Sequence, residues 1–371
     1  MIAIVLIALV ALLAFANGSN DNGKGVATLV GFGVATPGQA LVYATVATAC
    51  GGALSFWLAG GLVGKFSGAW LFAAGVDLDV LFFLSVLVGA CGWVLLASMT
   101  GLPVSTTHAI VGALCGAGLV SFGEASLQWS ALGTRFALPL ALGPLLSLVT
   151  VYVVAVPVSG IVRYVAGRCL CVVERQPEVF VAGPASVALI GSGQGQAIIV
   201  GRRGTCAADG AVGSVTAASV ANAVHWLSAG LVSFARGWND TPKIAALSLI
   251  ALAGVKHGAA VGFIVVVIAM ALGGLLAGRR VLETMSRKLT PLPLAESLTA
   301  SLVTATLVGL ASWRNLPVST THVATGAIIG AGLKNNPRCV RWGKVGEVVL
   351  SWIVTLPVAG LVAALAKFVI S

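Results

Sequence analysis

Polar charge along this chain is confined to short islands between long apolar stretches. No Asp, Glu, Lys or Arg occurs in 1–20, 25–64, 80–123, 136–162, 210–235, 257–278, 297–313, 315–333 or 348–366. A membrane-spanning helix takes about 20 apolar residues, with a range of about 17–25. Most of these windows therefore hold one span, and two are long enough for a pair. The window 244–255 is too short to cross and predicts a re-entrant or broken piece; 25–36 reads the same way. The pattern predicts an all-α polytopic membrane protein of about 10–12 membrane segments, some of them broken or re-entrant.

Composition narrows the class further. Of 371 residues, 58% are hydrophobic and 9% charged, against about 25% charged in a typical soluble domain. A water-soluble enzyme is excluded, and the solvent for most of the chain is the lipid bilayer. The 47 Gly and 13 Pro do not signal disorder, because both are common in membrane helices. Met1–Ala16 has no basic residue ahead of its apolar run, the first lysine being Lys24. It reads as the first membrane helix and not as a secretion signal. The seven cysteines include no C-x-x-C pair and suggest no zinc site.

The excess of basic residues is concentrated in three loops. Residues 159–209 carry Arg163, Arg168, Arg175, Arg202 and Arg203 against Glu174, Glu178 and Asp209. Loop 279–288 carries Arg279, Arg280, Arg287 and Lys288, and loop 334–344 carries Lys334, Arg338, Arg341 and Lys344. The positive-inside rule places all three in the cytoplasm, in keeping with a plasma (inner) membrane protein. Nucleic-acid or headgroup binding is the weaker reading, and no nucleic-acid partner is expected. Gln196–Val200 reads as a short strand within the central loop.

The chain repeats itself. Phe15-Ala-Asn-Gly-Ser-Asn-Asp-Asn-Gly-Lys24 aligns with Phe234-Ala-Arg-Gly-Trp-Asn-Asp-Thr-Pro-Lys243. Leu102-Pro-Val-Ser-Thr-Thr-His108 recurs without change as Leu316–His322, and Gly112, Gly116 and Gly118 keep step with Gly326, Gly330 and Gly332. Two repeats are predicted, 1–158 and 210–371, joined by the basic segment 159–209. Paired polar breaks in matching positions point to a transporter's midplane site. Whether the halves are inverted depends on an odd number of crossings, which the windows alone leave open.

Each motif has a chemistry. Asp21 and Asp240 lie at or inside membrane segments, where a carboxylate costs about 2.5–3.5 kcal/mol even on insertion scales. With Asn20 and Asn239 they offer hard oxygen ligands to Na⁺, or a seat for a proton. A plain helix cap in water is the bland alternative for one copy, and a weaker one for two matched copies. Pro103 and Pro317 disfavour helix in the residue before them. Ser105 and Ser319 then become N-caps, and the helix start behind each is an oxyanion site. The hydroxyls of Ser105, Thr106, Thr107, Ser319, Thr320 and Thr321 add neutral donors suited to phosphate or sulfate. The competing reading is back-bonding of Ser/Thr to their own helix. His108 and His322 read as structural, and the glycines as close helix packing.

The G-x-N-D and P-V-S-T-T-H pairs resemble those of the inorganic phosphate transporter family, cation-coupled carriers that include sulfate permeases. The resemblance covers nearly the whole chain. It implies an inverted-repeat helical fold, a homodimer, and phosphate bound near the midplane between the halves. It also implies that Asn20, Asp21, Asn239 and Asp240 serve the cation and substrate site, with the Ser/Thr runs lining the oxyanion and sharing in cation binding. One departure concerns the coupling ion: the family commonly reads N-D-x-x-N, and here Lys24 and Lys243 stand at the last position. They are either i,i+3 partners of the aspartates or interfacial lysines, or ammonium groups in a space Na⁺ would fill, with charge to offer an anion. The second departure is Arg236, where many relatives have His.

The expected function is secondary active transport of inorganic phosphate, coupled to Na⁺ or H⁺, with alternating access to a site between the repeats. Sulfate is the nearest alternative substrate, and a passive anion channel is less favoured. An intramembrane enzyme built on Ser105 or Ser319 is disfavoured because catalysis needs one assembled set, and here every candidate occurs twice. No cofactor is expected beyond Na⁺ as a coupling ion.

Overall fold

The computed structural model describes residues 2–174, 179–180, 189–190, 196–202 and 213–370. The first half contains α1 (Ile2–Gly25), α2 (Ala27–Phe32), α3 (Pro37–Leu58), α4 (Gly60–Phe66), α5 (Val80–Thr100), α6 (Thr106–Phe122), α7 (Trp129–Leu132) and α8 (Leu138–Val165). The second half contains α9 (Ala217–Ala245), α10 (Gly258–Ala277), α11 (Arg279–Arg287), α12 (Leu294–Trp313), α13 (Thr320–Asn335) and α14 (Trp342–Ile370). Among the described residues, eight helical stretches are long and apolar enough to cross a membrane. Adding the shorter α6 and α13 gives ten principal helices, five in each half. The protein is a multi-pass integral membrane protein.

The short pieces fall where the charge-free windows predict interruptions. The short piece expected at 25–36 is the six-residue α2, set off from the end of α1 at Val26. Beyond α9 the chain turns through a 3₁₀ segment, Ala246–Ser248, and irregular turns before α10.

α5 and α6 form a hairpin that returns to the side it came from. Phe82 near the start of α5 lies 5.6 Å from Phe122 at the end of α6, and Phe72 lies 5.6 and 5.5 Å from these rings. α12 and α13 repeat the arrangement. Gly332 near the end of α13 abuts Thr290, and the Arg341 amide donates to the Leu289 carbonyl at 2.9 Å, just ahead of α12. Each hairpin turns at the Leu-Pro-Val-Ser segment. The residue before it takes a left-handed conformation in both copies, Gly101 at φ 76° and Asn315 at φ 52°. Pro103 and Pro317 bias Leu102 and Leu316 away from helix, and the extended Ser105 and Ser319 cap the returning helices by accepting from the amides of His108 (3.2 Å) and His322 (3.3 Å).

Residues 1–156 and 225–371 form one compact unit, and glycines show why. Gly112 and Gly116 of α6 abut the carbonyls of Leu356 and Gly360 of α14; Gly326 and Gly330 of α13 abut those of Pro144 and Leu148 of α8. Gly18 of α1 presses on Met270 of α10, and Gly237 of α9 on Thr48 of α3. Every one of these contacts joins one sequence half to the other. Helices in lipid associate through such close backbone approach, because lipid removes the hydrophobic drive between them.

The second unit, 157–224, holds a small antiparallel sheet in the order β4–β1–β5, with β1 Arg168–Glu174, β4 Gln196–Arg202 and β5 Gly213–Thr216. β2 (Val179–Phe180) pairs with β3 (Leu189–Ile190). The expected strand at Gln196–Val200 is part of β4. Arg175, Glu178, Arg203, Cys206 and Asp209 of the basic loop lie outside the described residues.

Candidate functional site

The two repeated motifs meet inside the first unit. The last third of α1, Asn17 to Gly25, is buried throughout, as is Asn239 to Ala245 of α9. These helix ends face the hairpin turns, and backbone groups of Leu102, Val104 and Val318 in those turns bond polar side chains here. Asn20 donates to the Leu102 carbonyl at 2.9 Å and to Ser98 Oγ at 3.2 Å, and its Oδ1 accepts the Val104 amide at 3.0 Å. Asn239 holds its own turn through different bonds, donating to the Val318 carbonyl at 3.1 Å and to Asp240 Oδ1 at 2.9 Å.

The lysines connect the halves. Lys24 Nζ pairs with Asp21 Oδ1 and donates to Asn20 Oδ1 (2.7 Å), the Val104 carbonyl (2.8 Å) and Thr321 Oγ1 (2.6 Å). Lys243 Nζ pairs with Asp240 Oδ1 at 3.2 Å and donates to the Val318 carbonyl (2.8 Å) and Thr107 Oγ1 (2.9 Å). Val104 and Val318 are equivalent residues, as are Thr321 and Thr107. Each ammonium thus holds its own half's hairpin turn and a threonine from the other half.

A fifth buried charge lies beside these pairs. Arg236 is 1% exposed and donates to Asn17 Oδ1 (3.2 Å), Asn22 Oδ1 (2.7 Å) and Thr48 Oγ1 (3.1 Å). Asn17 passes the contact on, donating to Asp21 Oδ2 at 2.9 Å and Thr106 Oγ1 at 3.0 Å. Asp240 Oδ2, Asn239 Oδ1, Thr241 Oγ1 and Arg236 Nε are buried without a hydrogen-bond partner. The second copy of the motif therefore has free polar valence that the first has already used.

Of the residues expected from sequence, Asn20, Asp21, Lys24, Thr106, Thr107, Asn239, Asp240, Lys243 and Thr321 are joined by these bonds and ion pairs. Ser105 and Ser319 are buried caps, and Thr320 is buried as well. Asn17, Asn22, Thr48 and the bonding role of Arg236 were not foreseen. The one available signal was Arg236 itself, a charge following a 26-residue neutral window. The rings of His108 and His322 lie 4.6 Å apart at a tilt of 49°, with His322 4.0 Å from Trp352. They border a cavity of about 700 Å³ whose other walls are apolar, among them Leu140, Pro144, Trp352 and Leu356. That chamber does not suit an oxyanion. A separate cavity of about 540 Å³ runs from Arg279, Arg280 and Glu283 to Ser98, the residue that Asn20 touches. Among the described residues, no cluster of three or more His, Cys, Asp or Glu could hold a metal ion.

Comparison with known proteins agrees with this architecture. The model of a phosphate transporter family matches residues 17–363. The chain belongs to that family. A probable low-affinity inorganic phosphate transporter of Rhizobium meliloti is 29% identical over 369 residues, covering 98% of this chain and 95% of that protein. One of Mycobacterium bovis with the same description is 30% identical over 370 residues, covering 97% and 76%. A solved structure described as the sodium-dependent phosphate transporter superposes with a TM-score of 0.76 at 23% identity, covering 100% of this chain and 98% of that one. At that identity the likeness speaks for the fold. This member of the phosphate transporter family shares its helical fold with that structure.

Proposed function

We propose that this transporter moves inorganic phosphate across the membrane as a secondary active carrier, by alternating access to the site formed where the two motifs meet. The observation that carries the reading is the exchange of partners between halves, Lys24 with Thr321 and Lys243 with Thr107. A site shared by two moving parts can open to either side as they rock. Family membership supports phosphate as the substrate.

The halves are inverted in this reading. α1, α3 and α8 cross and the α5–α6 hairpin returns, so three crossings separate equivalent points, and an odd number brings the second half in from the opposite face. Anion affinity comes from the ammonium and guanidinium groups, the hydroxyls of Thr106, Thr107, Thr320 and Thr321, and the starts of α6 and α13. Asp21 and Asp240 keep the cluster from holding the anion too tightly to release. Arg279 and Arg280 sit at the mouth of the cavity that leads toward Asn20. The coupling cation in this reading is Na⁺ or H⁺.

Uptake of labelled phosphate by proteoliposomes, with sulfate as competitor, tests the function. Accumulation against a gradient, resisted by excess sulfate, is expected. Mere equilibration would indicate a channel, and strong inhibition by sulfate would reassign the substrate.

A further inference from the structure

The environment of the two buried lysines is that of a cation, not of a free side chain. Around Lys24 Nζ stand a carboxylate oxygen of Asp21, the amide oxygen of Asn20, the Val104 carbonyl and the Thr321 hydroxyl, the last three at 2.6–2.8 Å. Around Lys243 Nζ stand a carboxylate oxygen of Asp240, the Val318 carbonyl and the Thr107 hydroxyl, at 2.8–3.2 Å. Carboxylate, carbonyl and hydroxyl oxygens form the hard donor set that a small monovalent cation takes. Here the ammonium already uses them, and both lysines are at least 96% buried. A mobile Na⁺ does not fit the same oxygens while Nζ remains among them.

Charge counting leads the same way. Asp21 and Asp240 contribute two negative charges, and Lys24, Lys243 and Arg236 three positive ones, all buried. The cluster stands at +1 before any ion enters. Two further cations would raise it to +3 in a low-dielectric setting, where uncompensated charge is costly. One monovalent anion neutralises it with no mobile cation.

We infer that Lys24 and Lys243 are tethered cations, covalently supplied substitutes for Na⁺ at the two symmetry-equivalent oxygen cages, so that this transporter neither binds Na⁺ there nor requires it. The inference rests on the phosphate-carrier reading and narrows its coupling. A cation that stays with the protein crosses no membrane, so a Na⁺ gradient supplies no driving force through these cages. The same tethers hold the hairpin turns at Val104 and Val318, placing the substituted cations at the joints between the halves.

Two measurements on the full-length protein test this. In proteoliposomes at fixed pH, replacing Na⁺ by N-methylglucamine on both sides should change labelled-phosphate uptake less than about twofold, a difference under half of one tenfold step in coupling. Strict Na⁺ dependence of the wild type would overturn the inference and leave phosphate transport standing. Absence of uptake in every medium would count instead against the carrier reading. The second measurement needs no transport: a ligand that binds only the folded state raises its unfolding temperature. The detergent-purified wild type should show no shift when N-methylglucamine chloride is replaced by NaCl at equal ionic strength. The Lys24→Asn/Lys243→Asn variant, whose cages are opened and given a neutral oxygen, should show a Na⁺-dependent rise. A Na⁺-specific rise in the wild type refutes the tethered-cation assignment whatever the variant does.

Discussion

Asp21 and Asp240 occupy equivalent positions but unequal surroundings. Both oxygens of Asp21 are used, by Lys24 and Asn17, whereas Asp240 Oδ2 has no hydrogen-bond partner. Asp21→Asn should remove the charge that Lys24 answers and leave that ammonium uncompensated in a buried cage. The expected loss of phosphate uptake is at least about tenfold, the scale of 1.4 kcal/mol, since breaking one side of a buried pair costs about 3–5 kcal/mol. Asp240→Asn should also lose uptake, and both variants should still insert into the membrane; normal uptake in both would refute the site. Sequence made these residues legible because a carboxylate beside a charge-free window is costly, and because it occurs twice. It did not reveal Asn17 or Thr48 as partners of Arg236, since Asn and Thr are ordinary in such helices. Their importance arises when Arg236, from the second half, is packed against the first.

At the scale of an element, the hairpins show which backbone rules act at a distance along the chain. The prolines made the break before α6 and α13 predictable, and the serine caps followed from it. The turn preceding them was not legible, because its residues differ: Gly101 in one copy and Asn315 in the other, both left-handed. Glycine and asparagine are the residues that enter this region most readily. Asn315→Gly should therefore be tolerated, while Asn315→Val should destabilise the protein by about 1–2 kcal/mol, the cost of a left-handed conformation for a β-branched residue that lacks asparagine's short polar side chain. Thermal unfolding in detergent distinguishes them, and equal stability of the two would show that the turn adapts freely. A basic side chain from the other half meets each turn: Lys65 Nζ donates to the Asn315 carbonyl at 2.8 Å, and Arg280 Nη1 to the Met99 carbonyl at 2.6 Å. The hairpin ends are thus fastened from outside their own repeat.

At the scale of the molecule, that fastening makes a lock possible. Sequence showed two halves but could not show that they interlock. The glycines that announce close packing do not name their partners, which turn out to lie across the repeat: α6 on α14, α13 on α8, α1 on α10 and α9 on α3. If transport proceeds by rocking, each hairpin turn must part from the opposite half once per cycle. A side chain built on Gly101 would place its Cβ 3.5 Å from that of Arg280, at the short end of the roughly 3.5–4.5 Å range that a disulfide spans. Gly101→Cys with Arg280→Cys, in a background freed of other cysteines, should cross-link under mild oxidation. Uptake of labelled phosphate should then fall to the protein-free level and return with reductant, while each single variant is indifferent to both reagents. The single variants also control for the left-handed backbone at position 101 and for loss of the Arg280 contact. Full uptake by the cross-linked protein would mean that this turn stays docked throughout the cycle, and the rocking of one half against the other would have to be abandoned.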